Sequence, residues 1–189
     1  VVRALCPVDD GIWIATDNGI DFYSMADGLF HHAMTKDPKN GTKPLKGRFN
    51  HIVRNLKGVF AVSNDGKMYR CVGNDRCFTP VNQHGIPCNA VTTYRDDMLA
   101  ATGPRGVCLL ADDGETVIDH LPLTMVTTSL VNIYYSKNKN ILYVGYGIGY
   151  KSLAFRIENN RIKPSDEPVP NGLMATTDHG SKFAYLPNA

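Results

Sequence analysis

The stretch of this 189-residue chain with the most suggestive chemistry is Gly145-Tyr146-Gly147-Ile148-Gly149-Tyr150-Lys151-Ser152. A phosphate loop needs the spacing GxxxxGK[ST] at the opening of a helix, where backbone amides face the phosphate. Here Tyr150 precedes Lys151, and Leu153–Ile157 reads as a strand, so the glycines mark a hairpin. Six histidines (His31, His32, His51, His84, His120 and His179) fall into no HExxH or other metal spacing. His31 and His32 point to opposite faces of a strand and cannot chelate together. No GxSxG elbow is present. The acidic pairs Asp9-Asp10, Asp96-Asp97 and Asp112-Asp113 sit in turn-like sequence, and turn acidity accounts for them. Cys6, Cys71, Cys77, Cys88 and Cys108 form no CxxC pair, which argues against structural zinc. Their odd number leaves at least one thiol free or paired outside the chain. Cys71 and Cys77 flank Val72–Arg76 and form a disulfide if they face each other across a hairpin in an oxidising compartment. The competing reading is five small buried apolar side chains. No catalytic constellation, metal or cofactor is expected, and the chain reads as non-catalytic.

Binding chemistry is better represented. Asp17, Asn18, Asn64, Asp65, Arg105, Tyr146 and Tyr150 lie in or beside glycine-rich turns. Arginine and asparagine offer planar hydrogen bonding, and tyrosine offers a stacking face, a combination suited to sugars. Each is equally explained as an ordinary turn residue or a packed tyrosine. The stretch Met34–Arg48 holds four lysines and one arginine. It reads as a solvated loop, or as a contact for an anionic sugar or partner domain.

The elements that position these residues repeat. Gly11–Tyr23, Val59–Tyr69, Met98–Leu110 and Leu142–Arg156 each read as an apolar strand, a glycine turn and a second strand. Thr16, Ser63, Thr102 and Tyr146 are taken as equivalent, at spacings of 47, 39 and 44 residues. That period is the length of a propeller blade. A β-branched stretch precedes each copy: Val1–Leu5, Phe49–Val53, Asn89–Tyr94 and Val131–Tyr135. A fourth strand follows, at Leu29–Ala33, Cys77–Val81, Glu115–Asp119 and Arg161–Pro164. Leu173–Thr177 and Lys182–Leu186 begin a fifth copy. The expected fold is all-β: a β-propeller of four full blades, about 1–34, 49–82, 88–120 and 130–165, plus a partial fifth at 172–189. The second strand of each copy is a continuous apolar run, as burial on both faces requires. A β-sandwich also has many short strands but predicts no fixed period. The partial fifth copy implies a piece of a larger propeller. Apolar content is 43%, charged content 20% and net charge +2, too small to imply nucleic acid. No run of 18 apolar residues exists, so no membrane insertion is expected.

Val8-Asp9-Asp10-Gly11-Ile12-Trp13-Ile14-Ala15-Thr16-Asp17-Asn18-Gly19-Ile20-Asp21-Phe22-Tyr23 resembles the two-component regulator propeller repeat. That repeat reads Gly-x-aromatic-apolar-small-Thr, a short turn, then Gly-aliphatic and an aromatic. The third copy keeps Ala101-Thr102 and Gly106-Val107 but has Leu99 in place of Trp, while Ser63 and Tyr146 replace the Thr in the second and fourth. The resemblance implies a periplasmic sensor domain of a bacterial hybrid two-component system. It also implies an oligosaccharide or other small ligand. Partners would be the remaining blades and downstream domains of the same polypeptide, with a homodimer allowed. A kinase, if there is one, would lie elsewhere in that polypeptide. The alternatives are a propeller-fold polysaccharide lyase or glycosidase, and a protein-interaction scaffold.

Overall fold

The computed structural model describes residues 1–37, 41–95, 97–123, 131–146, 152–169, 173–176 and 183–186. Among them there is no helix. The first sheet is an antiparallel meander of β1 (Val2–Val8), β2 (Gly11–Thr16), β3 (Gly19–Ser24) and β4 (Phe30–His32). Two short strands, β5 (Met34–Asp37) and β6 (Gly41–Pro44), come next in the chain. The second meander is β7 (Phe49–Asn55), β8 (Gly58–Ser63), β9 (Met68–Cys71) and β10 (Cys77–Pro80). The third comprises β11 (Ala90–Tyr94), β12 (Met98–Gly103), β13 (Gly106–Leu110) and β14 (Val117–Pro122). The fourth comprises β15 (Val131–Ser136), β16 (Ile141–Tyr146), β17 (Leu153–Glu158) and β18 (Arg161–Ser165). A two-stranded sheet, β19 (Leu173–Thr176) and β20 (Phe183–Leu186), ends the series. The leading strands β1, β7, β11, β15 and β19 stand side by side in chain order. Four-stranded meanders arrayed on their first strands make this an all-β propeller.

The period-2 side-chain alternation of each strand gives every sheet a forward face, toward the next sheet, and a rear face. Between the first and second sheets, Trp13 and Phe22 pack against Phe49, Ile52, Val59 and Phe78. Trp13 lies 4.7 Å from the Phe22 ring centroid and 5.2 Å from that of Phe78, edge-on to the latter. Between the second and third, Phe60, Val62 and Met68 meet Val91, Leu99, Ala101 and Leu110. Between the third and fourth, Tyr94, Ala100 and Leu109 meet Ile133, Leu142, Val144 and Phe155. Polar staples close the same seams. Asn55, buried, donates from Nδ2 to the carbonyls of Asp97 (3.3 Å) and Asp112 (3.0 Å) and accepts from the Lys57 N–H (2.8 Å). Asp119 accepts from the Ile162 N–H (2.7 Å) and from Arg161 (2.8 Å).

Four readings of the sequence change. Met34–Arg48 is not a plain loop: β5 and β6 form a hairpin, and β5 pairs in parallel with β10, making the second sheet six-stranded. The fourth strand of the third copy begins at Val117 rather than Glu115, because Asp113 accepts the Glu115 and Thr116 N–H groups in the preceding turn. The third copy is also offset by one. Its two-residue turn, Pro104-Arg105, is closed by Gly103↔Gly106, where the first copy has Thr16↔Gly19. Gly103, not Thr102, is therefore the counterpart of Thr16, and Ala100 stands on the forward face where Trp13 does. Finally, the Cys71–Cys77 disulfide is not formed; all five thiols are free and buried. Cys71 is directly opposite Phe78, so the pleat turns Cys77 to the other face of the sheet.

Candidate ligand-binding site

The turns between second and third strands and the connections between sheets gather at one end of the molecule. A hydroxyl at the end of the second strand locks each described turn. Thr16 Oγ1 donates to the Gly19 carbonyl (3.0 Å) and accepts from the Asn18 N–H (3.1 Å). Ser63 Oγ accepts the Lys67 N–H (3.2 Å), and Thr102 donates to the Gly106 carbonyl (3.1 Å). Connections between sheets reach these turns as well: the Cys88 N–H donates to the Gly66 carbonyl (3.0 Å), and the Leu123 N–H to that of Arg105 (3.3 Å), just beyond β14. A Cβ on Gly106, whose φ is +117°, would lie 2.1 Å from the Leu121 carbonyl oxygen. Only glycine tolerates both that approach and that backbone angle.

The seam between the first two sheets carries a polar cluster. Asp17 accepts two hydrogen bonds from Arg3, at 2.7 Å and 3.1 Å. Arg48 Nε lies 3.6 Å from the same carboxylate and donates to Asn50 Oδ1 at 3.2 Å. The Arg48 carbonyl accepts the Asn64 N–H at 2.8 Å. The side chains of Arg3, Asp17 and Arg48 are each 28–29% exposed, which leaves them fixed but reachable. The Arg3 hydrogen bond holds the Asp17 carboxyl below its ordinary range, and Asp17 raises Arg3 in return. Two guanidiniums against one carboxylate leave the cluster net positive. Beside it a cavity of about 320 Å³ is lined by Asn18, Asp21, His32, Leu45 and Lys46 among others. His32 Nδ1 is hydrogen-bonded to Asp21 there.

Asp17, Asn18 and Asn64 thus come together at one seam. Asp65 does not join them: it holds Ser63 and Lys67 of its own turn, and those bonds lower its pKa. Arg105 sits on the third sheet, its carbonyl accepting from His120 Nε2 (2.9 Å) and its side chain exposed. Tyr150 lies outside the described residues, and of Tyr146 only its place at the end of β16 is described. Arg3 and Asn50 were not singled out from the sequence. Their signal was faint: a charged or amide residue near the start of a leading strand, 47 residues apart. Among the described residues no group of His, Cys, Asp and Glu is arranged to hold a metal ion. None of the described residues form a helix long and apolar enough to cross a membrane.

No protein-family profile matches the chain. No curated protein matches it in sequence. Solved structures share its fold. The extracellular domain of BT4673 from B. thetaiotaomicron, assigned to a one-component system, superposes with a TM-score of 0.63 at 12% identity, over 97% of this chain and 27% of that one. The extracellular domain of BT3049 from the same organism, assigned to a hybrid two-component system, gives 0.58 at 19% identity, over 83% and 22%. The WD40 repeats of RRP9 give 0.66 at 7% identity, over 96% and 58%. The chain spans less than two thirds of each of these structures. At these identities the likeness establishes the propeller fold.

Proposed function

We propose that this chain is a ligand-sensing, non-catalytic propeller segment of a bacterial two-component sensor. It would act outside the cytoplasm, binding an oligosaccharide at the turn end of its first two sheets. The observation that carries the reading is the Arg3–Asp17–Arg48–Asn50 cluster. It presents planar donors and acceptors, held in place by one another yet solvent-accessible, as recognition of sugar hydroxyls or a sugar carboxylate requires. Asn18 and Lys46 extend that surface along the adjoining cavity. The propeller neighbours from extracellular sensor domains support this assignment, as does the repeat resemblance of the first sheet. Tyr146, Tyr150 and Arg105 are proposed as further contacts for a longer ligand. Signalling would pass to the remaining blades and downstream domains of the same polypeptide.

The reading is tested by incubating the protein with an oligosaccharide panel while recording melting temperature and analysing products. A ligand at a hundred times its Kd stabilises by about 2.7 kcal/mol, a readily measured melting shift. Stabilisation without bond cleavage is the expected result. Cleavage would establish the enzyme alternative instead, and no shift with any saccharide would leave the scaffold reading.

A further inference from the structure

The connection between the first and second sheets differs from the others in charge. Residues 33–48 include Lys36, Lys39, Lys43, Lys46 and Arg48 against one acidic residue, Asp37. Residues 81–89, which lead from β10 to β11, hold no lysine, arginine, aspartate or glutamate. The same is true of residues 123–130, between β14 and β15. The connection from β18 to β19 opens with Asp166-Glu167 and is acidic. Among the connections, an excess of positive charge thus belongs to one seam, the one that holds Asp17 and Asn18.

The last part of this basic connection is a strap fixed at both ends. Leu45 is buried, and its N–H donates to the Ala33 carbonyl at 2.8 Å. Phe49 is buried in the same core between the first two sheets. The strap lies directly on the first-sheet turn, since a Cβ on Gly19 would stand 2.3 Å from the Leu45 carbonyl oxygen. Gly47 has a φ of +120°, yet nothing lies within 4 Å of where its Cβ would be. Glycine is required there for the direction of the chain rather than for close packing. Lys46 and Arg48 stand on either side of it. The cavity of about 320 Å³ lies between this strap and the first sheet, with Pro44, Leu45 and Lys46 on one side and Asn18, Asp21 and His32 on the other.

Several cations elsewhere on the surface are matched by carboxylates, as Arg54 is by Asp9, Lys67 by Asp65 and Lys163 by Glu158. The strap is different. Lys46 is exposed and forms no ion pair with any described residue. Arg48 engages Asn50 and Asp17 through Nε, so among the described residues its Nη groups have no hydrogen-bond partner. Of the carboxylates at the seam, Asp17 already accepts two hydrogen bonds from Arg3, and Asp21 is held by His32. A guanidinium with both Nη groups unengaged is suited to gripping a carboxylate or sulfate through two parallel hydrogen bonds. A nearby ammonium adds attraction for the same charge. We propose that the saccharide taken at this seam is acidic, its carboxylate or sulfate held by the Nη groups of Arg48 and the ammonium of Lys46, so that the strap between the first two sheets sets the ligand class. This deepens the saccharide-binding role proposed above and rests on it.

Calorimetric titration of the 189-residue protein with matched saccharide pairs tests this. One pair is an oligogalacturonide and its fully methyl-esterified form, which keeps the backbone and loses the carboxylates. The other is a carrageenan oligosaccharide and its desulfated form. The expected result is that an acidic member binds about tenfold or more tightly than its neutral partner. The pair that responds tells carboxylate from sulfate. The preference should shrink in about 1 M salt, where the Debye length falls to about 3 Å. Lys46→Gln, at an exposed position, should lower it about threefold, while Lys46→Arg keeps it. Lys57→Gln, in the turn between β7 and β8 at the other end of the sheet, should leave it unchanged. Neutral members that bind as tightly as acidic ones overturn the proposal and leave saccharide binding in place. So does a preference that Lys46→Gln does not diminish. Oligoglutamate that binds as tightly as the acidic saccharides also overturns it, by showing a general polyanion surface. If no acidic saccharide binds, the proposal fails; if no neutral saccharide binds either, the saccharide-binding role fails with it.

Discussion

Buried amides and half-buried charges do different work at the seams between sheets. Asn55 uses both amide hydrogens and its carbonyl oxygen, all on backbone partners, and two of those partners belong to the third sheet. Asn55→Ala should cost about 1–3 kcal/mol in urea unfolding, since it strands two carbonyls and an N–H at the seam. Asn55→Asp should be at least as damaging, because a carboxylate has no hydrogen to donate to the two carbonyls. Asp17 behaves as a charge. Its folded-state pKa is depressed by Arg3, so its contribution to stability is present above the unfolded value of about 3.9 and is lost as pH falls through the folded value. Asp17→Asn should therefore melt lower than wild type near neutral pH. The gap should close as the pH drops below about 4, which melting curves across pH would reveal. The candidate turn residues were legible because glycine, asparagine and aspartate announce turns. Arg3 and Asn50 were not: the pairing of β1 with β2 brings Arg3 beside Asp17, and Asn50 joins the cluster only through Arg48, neither of which nearby sequence announces. The turn aspartates also separated in a way that composition does not show: Asp17 reaches across to another strand and toward the next sheet, while Asp65 closes on its own turn.

At the scale of elements, the second-to-third-strand hairpin is the unit that specifies the blade. Its hydroxyl lock and its glycine are separate requirements. Gly106→Ala should destabilise by about 3 kcal/mol or more, because the backbone angle is unfavourable and the Leu121 carbonyl stands where the methyl group must go. Thr102→Val should cost less, about 1 kcal/mol, as it removes one hydrogen bond while keeping the side-chain shape. Chemical denaturation of the two variants side by side checks the ordering. The strands themselves were readable from apolar runs and glycine turns. The hairpin of β5 and β6 was not. Lysine, glycine and proline dominate that stretch, so it lacks alternation, and its partner β10 follows some 40 residues later in a parallel pairing that no local signal announces. The offset of the third copy escaped for a different reason. Thr102 has the chemistry of Thr16 but lies one residue further from its turn, and a one-residue slip exchanges the two faces of a strand. Ala100 then takes the forward position that Leu99 was expected to fill.

For the whole molecule, the repeat period predicted the architecture and the packing explains it: each sheet is too thin to bury its own faces, and each is completed by its neighbours. The same logic draws the turns to one end, where the first two sheets share the cluster around Asp17. Under the proposed function, a ligand bound there would touch both blades at once, because Arg48, just ahead of β7, stands 3.6 Å from Asp17 in the turn of the first sheet. The central claim is that this end recognises a saccharide without cleaving it. Calorimetric titration of wild type and Arg48→Ala with the same oligosaccharide panel, followed by product analysis of each mixture, addresses it directly. The account predicts saturable binding of at least one saccharide by wild type, weakened about tenfold or more in Arg48→Ala, with the saccharide recovered intact. Binding that Arg48→Ala leaves unchanged, or recovery of cleaved product, would contradict it.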